Sequence, residues 1–191
     1  VDEMISEIVA LENYLDIYGD IGKNKTIASI LKYNTLESNP SNKIEIKNNE
    51  FQGQKGVIGI IGSGNFTKMT MLPALKGSKA NYKYLASQGG LSSTVLAKKH
   101  GFSFSTTNYK EILNDSEVDL VCITTKHNMH AQLTIESLQE NKHVFVEKPL
   151  ALNLEELNQI IEAQKASNKT VTVGFNRRFS PHAIKMKSLL G

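Results

Sequence analysis

The chain has 191 residues, of which 40% are hydrophobic, and its formal net charge at pH 7 is +3. This length and apolar content suit one packed domain of ordinary size with some residues left for an appendage. No apolar run approaches the roughly 18 residues that a membrane helix needs, and the acidic, amphipathic start does not resemble a secretory leader. Basic residues are not clustered with aromatic ones. We therefore expect neither a membrane nor a nucleic acid among its partners.

Charge is unevenly distributed along the chain. Residues 1–55 carry six lysines against nine acids, whereas residues 56–191 carry sixteen basic residues against ten acids. A modestly basic domain suits anionic ligands such as nucleotides or sugar phosphates. The single cysteine, Cys122, excludes an internal disulfide and indicates a reducing compartment, so we expect a cytoplasmic protein. Because it lies in the apolar run VDLVCITT, we interpret it as a buried side chain rather than a nucleophile.

The first 55 residues predict an appendage followed by a linker. Apolar residues recur at helical spacing and predict a helix there: Ile5, Ile8, Leu11 and Leu15. The stretch TIASILKY then predicts a short strand. Residues 37–55 are polar and asparagine-rich, which is typical of a linker, with KIEIK as a candidate edge strand. Because about 35 residues cannot build a sufficient core alone, we expect residues 1–36 to dock on another structure.

From Gly56 onward, strand patterns alternate with helix patterns. Six runs predict strands: GVIGII, NYKYLAS, FSFST, VDLVCITT, HVFVEK and TVTVGF. Three signals mark helix ends, namely Gly101 as a C-cap, Asn153 with Glu156 as a capping box, and Pro181 at a first helical position. This alternation predicts an α/β fold with a doubly wound parallel sheet and right-handed crossovers, preceded by a helix-strand appendage.

The first predicted strand is followed by GSGNFT, residues 62–67, where a dinucleotide-binding turn has Gly-x-Gly-x-x-Gly. Gly62 would permit the tight turn, and Gly64 would let the backbone approach a pyrophosphate. The N–H groups and helix dipole at Asn65 and Phe66 would favour the anion. The third position serves helix–strand packing, so we expect Thr67 to move the helix slightly outward. A glycine turn without a ligand is the alternative interpretation.

A dinucleotide fold also predicts an acid at the end of the second strand, where it holds the ribose hydroxyls. Ser87 and Gln88 occupy this place, and neither an acid nor an arginine stands there. A serine or a glutamine can hydrogen-bond the ribose of either cofactor form. The expected cofactor is therefore NAD or NADP, with the choice left open.

Two further stretches resemble the Gfo/Idh/MocA oxidoreductases. The segment ITTKHNMHAQLTIESLQENKHVFVEKPLAL is similar to that family's passage from fourth to fifth strand, which closes on Glu-Lys-Pro. The segment VTVGFNRRFSPHAIKMKSLLG resembles the family's exit from the nucleotide domain. The resemblance covers about residues 56–191 and implies a Rossmann-type NAD(P)-binding domain. Proline usually stands where this chain has Lys126, so a backbone difference is expected there.

The resemblance also implies roles for individual residues. The pyrophosphate would be held at Gly62, Gly64, Asn65 and Phe66. The adenosine side of the cleft would be lined by Thr124, Thr125 and Lys126, with His130 nearby. Glu147 would lie near the nicotinamide, and Lys148 would point into the substrate site as the catalytic residue.

A lysine at that place suits hydride transfer from a sugar hydroxyl. A lysine amine that is desolvated beside a cofactor can have its pKa lowered and accept the proton, and its charge can polarise a carbonyl in the reverse direction. His127 and His130 lack a believable third ligand for zinc, so no metal is expected.

The implied activity is oxidoreduction of a small carbohydrate, that is, a sugar, a sugar nucleotide or a polyol. Two alternatives stay open: an NAD-dependent glycosidase that oxidises its substrate transiently, and a non-catalytic nucleotide-binding module. Family members continue with an antiparallel-sheet domain that supplies most substrate contacts. The chain as given is therefore expected to bind cofactor and to be inactive in isolation, and self-association into a homodimer would cover an exposed sheet edge or crevice.

The N-terminal segment carries a second resemblance. ISEIVALENYLDIYGDIGKNKTIASILKYN is similar to the final helix and strand of a medium-chain, zinc-type alcohol dehydrogenase-like domain. Some bacterial proteins fuse such a domain in front of a Gfo/Idh/MocA domain and are associated with cell-surface polysaccharide synthesis. The resemblance implies that this chain is a fragment of a bi-domain oxidoreductase.

Overall fold

A seven-stranded sheet forms the centre of the larger of two units, Val1–Pro40 and Ser41–Gly191. The structure is a computed structural model that describes residues 4–19, 27–33, 41–51 and 53–190. The strands of the sheet are β3 Lys43–Glu45, β4 Val57–Ile61, β5 Asn81–Ala86, β6 Phe104–Thr106, β7 Leu120–Ile123, β8 His143–Glu147 and β9 Val171–Gly174. The six strands predicted from Gly56 onward are thus confirmed.

The strand order is β3-β6-β5-β4-β7-β8-β9, and every neighbouring pair is parallel except β3 with β6. The parallel part of the sheet therefore starts at the central strand β4, winds outward through β5 and β6, and then returns to β7 on the other side. Such a reversal opens a crevice at the carboxyl ends of the central strands, which is where open α/β sheets bind ligands.

Helices connect the parallel strands. Residues 65–75 form one helical segment, in which a π-helical part, Thr67–Met71, precedes α2, Leu72–Leu75. The others are α3 Leu91–His100, α4 Lys110–Asn114, α5 His130–Gln139, α6 Leu154–Ser167 and α7 Pro181–Leu190, with short 3-10 helices at His127–Met129 and Asn176–Phe179. Within the described ranges, no helix has the length and apolar content that a membrane crossing requires.

The predicted helix ends are confirmed. Gly101 closes α3 in the left-handed conformation at φ 76°, and the Asn153 side chain accepts a hydrogen bond from the Glu156 N–H at 2.8 Å. Pro181 is the first residue of α7. Each signal works because it satisfies or dispenses with a backbone group that the helix end leaves unpaired.

Side chains of β4 alternate between two cores because successive residues of a strand point to opposite faces. Val57 and Ile61 join a cluster that includes Ile112 of α4 and Leu133 of α5. Ile58 and Ile60 join a second cluster that is completed by Leu72, Leu96, Phe102 and other apolar residues. All five residues of β4 are buried, so the sheet is covered on both faces at its centre.

The smaller unit corrects one prediction. Residues 5–10 form a strand, β1 Ile5–Ala10, not the start of a helix, and β1 pairs in parallel with β2, Ala28–Lys32. After β1, a 3-10 helix at Leu11–Asn13 continues as α1, Tyr14–Tyr18. The Ile5 and Ile8 spacing suited a helix, but β-branched side chains and the ladder to β2 favour the extended backbone. The appendage is therefore strand-helix-strand, and the strand predicted within TIASILKY is confirmed.

The boundary between the two units falls inside the predicted linker, between Pro40 and Ser41. β3 pairs with β6 as the antiparallel edge strand, so KIEIK does contribute a strand. Phe51 is buried in the core of the larger unit. The described residues 41–51 thus pack as part of that unit. The first residues of the predicted linker, 37–40, lie outside the described ranges.

A partly buried ionic cluster joins β5 to the α4–β7 loop. The Lys83 ammonium is almost fully buried and forms ion pairs with the carboxylates of Asp115 and Glu117. The Tyr84 hydroxyl donates a hydrogen bond to Asp115 Oδ2 at 2.9 Å. Burial by itself raises the pKa of Asp115, but hydrogen bonds from Lys83, the Glu117 N–H and Tyr84, together with the Lys83 charge, lower that pKa overall.

Replacement of Lys83 tests this cluster. Lys83→Met leaves the Asp115 carboxylate without its cation, so we expect the free energy of unfolding to fall by about 2–3 kcal/mol in urea denaturation at pH 7. The stability that ionised Asp115 contributes is present above the ordinary carboxyl pKa and is lost as pH falls through its lowered pKa. The difference in unfolding free energy between Lys83→Met and the wild type therefore shrinks below about pH 4. The exposed Lys165→Met is the control and is expected to change stability by less than about 0.5 kcal/mol. Equal stability of the two variants would contradict the assignment.

Candidate functional site

The glycine turn lies at the carboxyl end of β4. Gly62 has φ +115°, and its N–H donates to the Ala86 carbonyl at 2.8 Å. A Cβ on Gly62 would lie 2.6 Å from Thr124 Oγ1 and 2.7 Å from the Thr124 carbonyl oxygen. Both the backbone conformation and the close approach of the β7 end therefore require glycine here.

Thr67 stands at the third position of the turn and is fully buried. Its hydroxyl donates to the Gly62 carbonyl at 2.9 Å and lies 2.7 Å from Thr124 Oγ1. The Thr124 hydroxyl also lies 3.1 Å from the same carbonyl. The threonine thus ties the helix to the turn and to the β7 loop, a role that the sequence analysis missed because it treated the position only as a packing site.

The start of the helical segment 65–75 is suited to an anion. Within the described part of the chain, a Cβ on Gly64 would meet nothing within 4 Å, so the turn faces open space. Among the described residues, no side chain caps the π-helical part at its N-cap Phe66, and the Lys68 N–H bonds back to the Gly64 carbonyl at 3.0 Å. Asn65 and Phe66 therefore present backbone N–H groups at a positive helix end, which fits the pyrophosphate of a dinucleotide.

A cavity of about 380 Å³ adjoins the turn at the ends of β4, β5 and β7. Three residues predicted for the adenosine side line it, namely Ser87, Thr125 and Lys126, and Gln88 lines it as well. Thr107, Tyr109 and Met129 also contribute to its wall. These three were missed because each comes from a loop or helix start that carries no motif of its own.

Lys126 keeps the backbone that proline would have. Its φ is −70° and its ψ is 148°, and proline holds φ near −65°. The expected backbone difference at this position is therefore not found. Lysine in place of proline adds a backbone N–H and places an exposed ammonium group on the wall of the cavity.

His130 begins α5 and is completely buried. Its Nδ1 lies 2.7 Å from the Pro149 carbonyl oxygen, and its Nε2 lies 3.2 Å from the Thr125 carbonyl oxygen. Both neighbours are acceptors, and each tautomer of a neutral imidazole can donate to one of them. The ring thereby joins the loop after β7 to the loop after β8. A direct contact between His130 and the cofactor stays a prediction.

Glu147 ends β8 beside the end of β9. Its Oε1 is buried and has no hydrogen-bond partner among the described residues. A Cβ on Gly174 would lie 2.4 Å from this oxygen, so glycine at the end of β9 makes room for the carboxyl group. Burial raises the pKa of Glu147, although the Lys148 N–H and the charges of Lys148 and His130 act in the opposite direction.

Lys148 follows directly and is exposed at the same edge of the sheet. Its position at the carboxyl end of β8 agrees with where the sequence placed it, while its role in catalysis stays a prediction. Cys122, by contrast, is buried, and burial raises the pKa of its thiol to about 12, as suits a packing residue.

A larger groove of about 800 Å³ lies between α5 and α6, away from the strand ends. Glu162 is the ionisable side chain on its wall, and it pairs with Lys165. In the parts of the chain that the structure describes, no three His, Cys, Asp or Glu side chains are grouped so that they could hold a metal ion. Topology and the convergence of polar groups therefore place the candidate site at the ends of β4, β5, β7 and β8.

Known proteins resemble this chain over the same residues. Residues 57–175 match the sequence profile of GFO_IDH_MocA, an oxidoreductase family with an NAD-binding Rossmann fold. The chain is 31% identical over 134 residues to the uncharacterized oxidoreductase YrbE of Bacillus subtilis. That alignment covers 70% of this chain and 39% of YrbE. It is also 36% identical over 92 residues to the myo-inositol 2-dehydrogenase of Thermotoga maritima, an alignment that covers 48% of this chain and 28% of that enzyme.

Solved structures agree with these relatives. A probable dehydrogenase from Thermotoga maritima has a TM-score of 0.63 at 30% identity, over 70% of this chain and 40% of that one. Levoglucosan dehydrogenase in complex with NADH and L-sorbose has a TM-score of 0.63 at 28% identity, over 70% and 38% of the two chains. The chain thus spans about two fifths of the length of these relatives. It belongs to the GFO_IDH_MocA oxidoreductase family and carries that family's NAD-binding Rossmann domain.

Proposed function

We propose that this domain binds a nicotinamide dinucleotide for an oxidoreductase that transfers hydride to or from a sugar, a sugar nucleotide or a polyol. The observation that carries the proposal is the convergence of three features at the sheet edge where the strand order reverses. These are the glycine turn after β4, the loop 124–126 after β7, and Glu147 with Lys148 after β8. The inositol and levoglucosan dehydrogenases among the relatives support the substrate class.

The residues fit the parts of such a cofactor. Backbone N–H groups at Asn65 and Phe66 would hold the pyrophosphate, and the cavity beside Ser87 and Lys126 would take the adenosine. When bound, the nicotinamide ring supplies the hydride acceptor or donor. The buried Glu147 Oε1 has no hydrogen-bond donor among its described neighbours, and the N–H groups of the nicotinamide carboxamide could supply one.

Lys148 is the residue we assign to proton transfer. Oxidation of a hydroxyl to a carbonyl releases a proton as the hydride leaves, and an amine within reach of that hydroxyl can accept it. In the reverse direction the ammonium group stabilises the negative charge that develops on the carbonyl oxygen. The exposed position of Lys148 at the end of β8 leaves its side chain accessible to a substrate.

His130 is assigned a positioning role. Because its ring contacts the Thr125 and Pro149 carbonyls, it links the loop on the adenosine side to the segment that follows Lys148. Loss of the ring would remove its hydrogen bond to one of these carbonyl groups and its contact with the other, and would release both loops.

For the smaller unit, the resemblance to an alcohol dehydrogenase-like tail and a role in surface-polysaccharide synthesis stay predictions. The unit exposes several large apolar side chains, which supports a further packing partner: Ile8, Leu15, Tyr18, Ile27 and Tyr33. No residue of this unit is assigned to the reaction.

Substitution of Lys148 tests the catalytic assignment. In the full-length protein, with myo-inositol and levoglucosan as the probe substrates, we expect Lys148→Ala to lower kcat by about a hundred- to ten-thousandfold. The Kd for the reduced cofactor, measured from nicotinamide fluorescence, should change by less than about threefold, because the lysine is assigned to the substrate. Lys165→Ala, an exposed lysine of α6, is the control. Turnover that survives Lys148→Ala would favour a non-catalytic nucleotide-binding module or another catalytic residue.

Substitution of His130 tests the link between the loops. His130→Leu removes the polar contacts of the ring at similar volume, so we expect the Kd for the reduced cofactor to rise roughly tenfold, as the loss of one net hydrogen bond implies. His130→Gln keeps an amide donor and should restore part of the affinity. Unchanged affinity in a His130→Leu protein that unfolds at the wild-type urea concentration would show that the ring does not position the site.

A further inference from the structure

The sequence around the candidate adenosine site contains no acid. Residues 51–110, which hold the glycine turn, β5, α3 and β6, carry eight lysines and neither Asp nor Glu. The next acid along the chain is Glu111, and it is not among the residues that line the cavity. Its charge instead helps to raise the pKa of Tyr84. Lys83 and Lys110 pair with carboxylates from elsewhere in the chain, and the other six lysines leave this segment with an excess of positive charge, which favours an anionic ligand.

Serine hydroxyls stand where the ribose-binding acid is expected. Ser87 Oγ lies 3.4 Å from Ser92 Oγ, and Ser92 Oγ lies 2.7 Å from Ser63 Oγ. The three hydroxyls connect the end of β5, the start of α3 and the glycine turn. α3 has ten residues, and among the described residues no side chain caps its start at Gly90. Hydroxyls and free N–H groups can donate to a phosphate, whereas a carboxylate at this place would repel it.

Lys126 supplies a cation on the opposite wall. It lines the same cavity as Ser87 and Gln88. It takes part in none of the ion pairs found in the described ranges, which involve Lys83, Lys110 and Lys165. Its charge is therefore available to a ligand and is not neutralised by a neighbouring carboxylate.

We propose that the adenosine end of this cavity recognises a phosphate on the 2′-oxygen of the ribose, so that the domain binds NADP(H) in preference to NAD(H). Ser87 and Ser92 donate hydrogen bonds to the phosphate, and Lys126 supplies the countercharge. The inference rests on the proposed function, since it names the form of the dinucleotide that the same site takes. Selection arises because the place that normally holds an acid is neutral and the facing wall is positive.

The first experiment titrates the wild-type chain with NADPH and with NADH, following nicotinamide fluorescence. We expect NADPH to bind more tightly, with a preference that declines as the salt concentration rises because the extra phosphate is held partly by long-range charge. Binding of NADH with equal or higher affinity than NADPH would overturn this inference and leave the proposed function intact. Binding of neither would contradict the proposed function and the inference together.

Three variants separate charge from shape. Ser87→Asp should lower the affinity for NADPH by at least about tenfold and leave that for NADH within about threefold, because a carboxylate repels the added phosphate alone. Ser87→Asn, similar in shape but uncharged, is the matched control and should keep the wild-type preference. Lys126→Gln should weaken NADPH more than NADH. Equal effects of Lys126→Gln on both cofactors, or of Ser87→Asp and Ser87→Asn on NADPH, would overturn the inference.

Discussion

The contact between the end of β4 and the end of β7 is the constraint on which the site depends. Gly62 and Thr124 approach so closely that a Cβ at residue 62 would lie 2.6 Å from the threonine hydroxyl. The hydroxyls of Thr67 and Thr124 both reach the Gly62 carbonyl, at 2.9 and 3.1 Å. The glycine turn, the helix that follows it and the β7 loop are therefore held together before any ligand binds. Such preorganisation lowers the entropy that binding would otherwise lose.

The same edge of the sheet carries polar groups that a stable core would avoid. Glu147 has a buried oxygen without a partner among the described residues, and burial raises its pKa. Glycine at position 174 leaves room for this carboxyl group, which a side chain there would displace. The Lys83 cluster contrasts with it, since there each carboxylate receives a cation. An unsatisfied group is typical of a site whose partner is a ligand, whereas a fully paired cluster is typical of structure.

At two positions of the candidate site, the residue differs from the one that such domains are expected to have. Ser87 stands where dinucleotide folds often have an acid, and Lys126 stands where relatives are expected to have proline. Both differences make one cavity more positive, and they come from separate strands. The backbone at Lys126 has a φ of −70°, which proline also adopts, so either residue suits this place in the fold. Charge at this end of the site can therefore change while the glycine turn stays as it is.

The sequence by itself determined the six parallel strands, the glycine turn and the helix ends, because each depends on local periodicity or on the backbone needs of one residue. The helix that it predicted at Ile5 and Ile8 was wrong, since six residues suit both periods and the pairing partner β2 lies some twenty residues away. Only the tertiary structure showed that the Thr67 hydroxyl bonds to the turn and that His130 spans two loops. Those contacts join residues that are distant in sequence or hidden within a motif, so packing alone decides them.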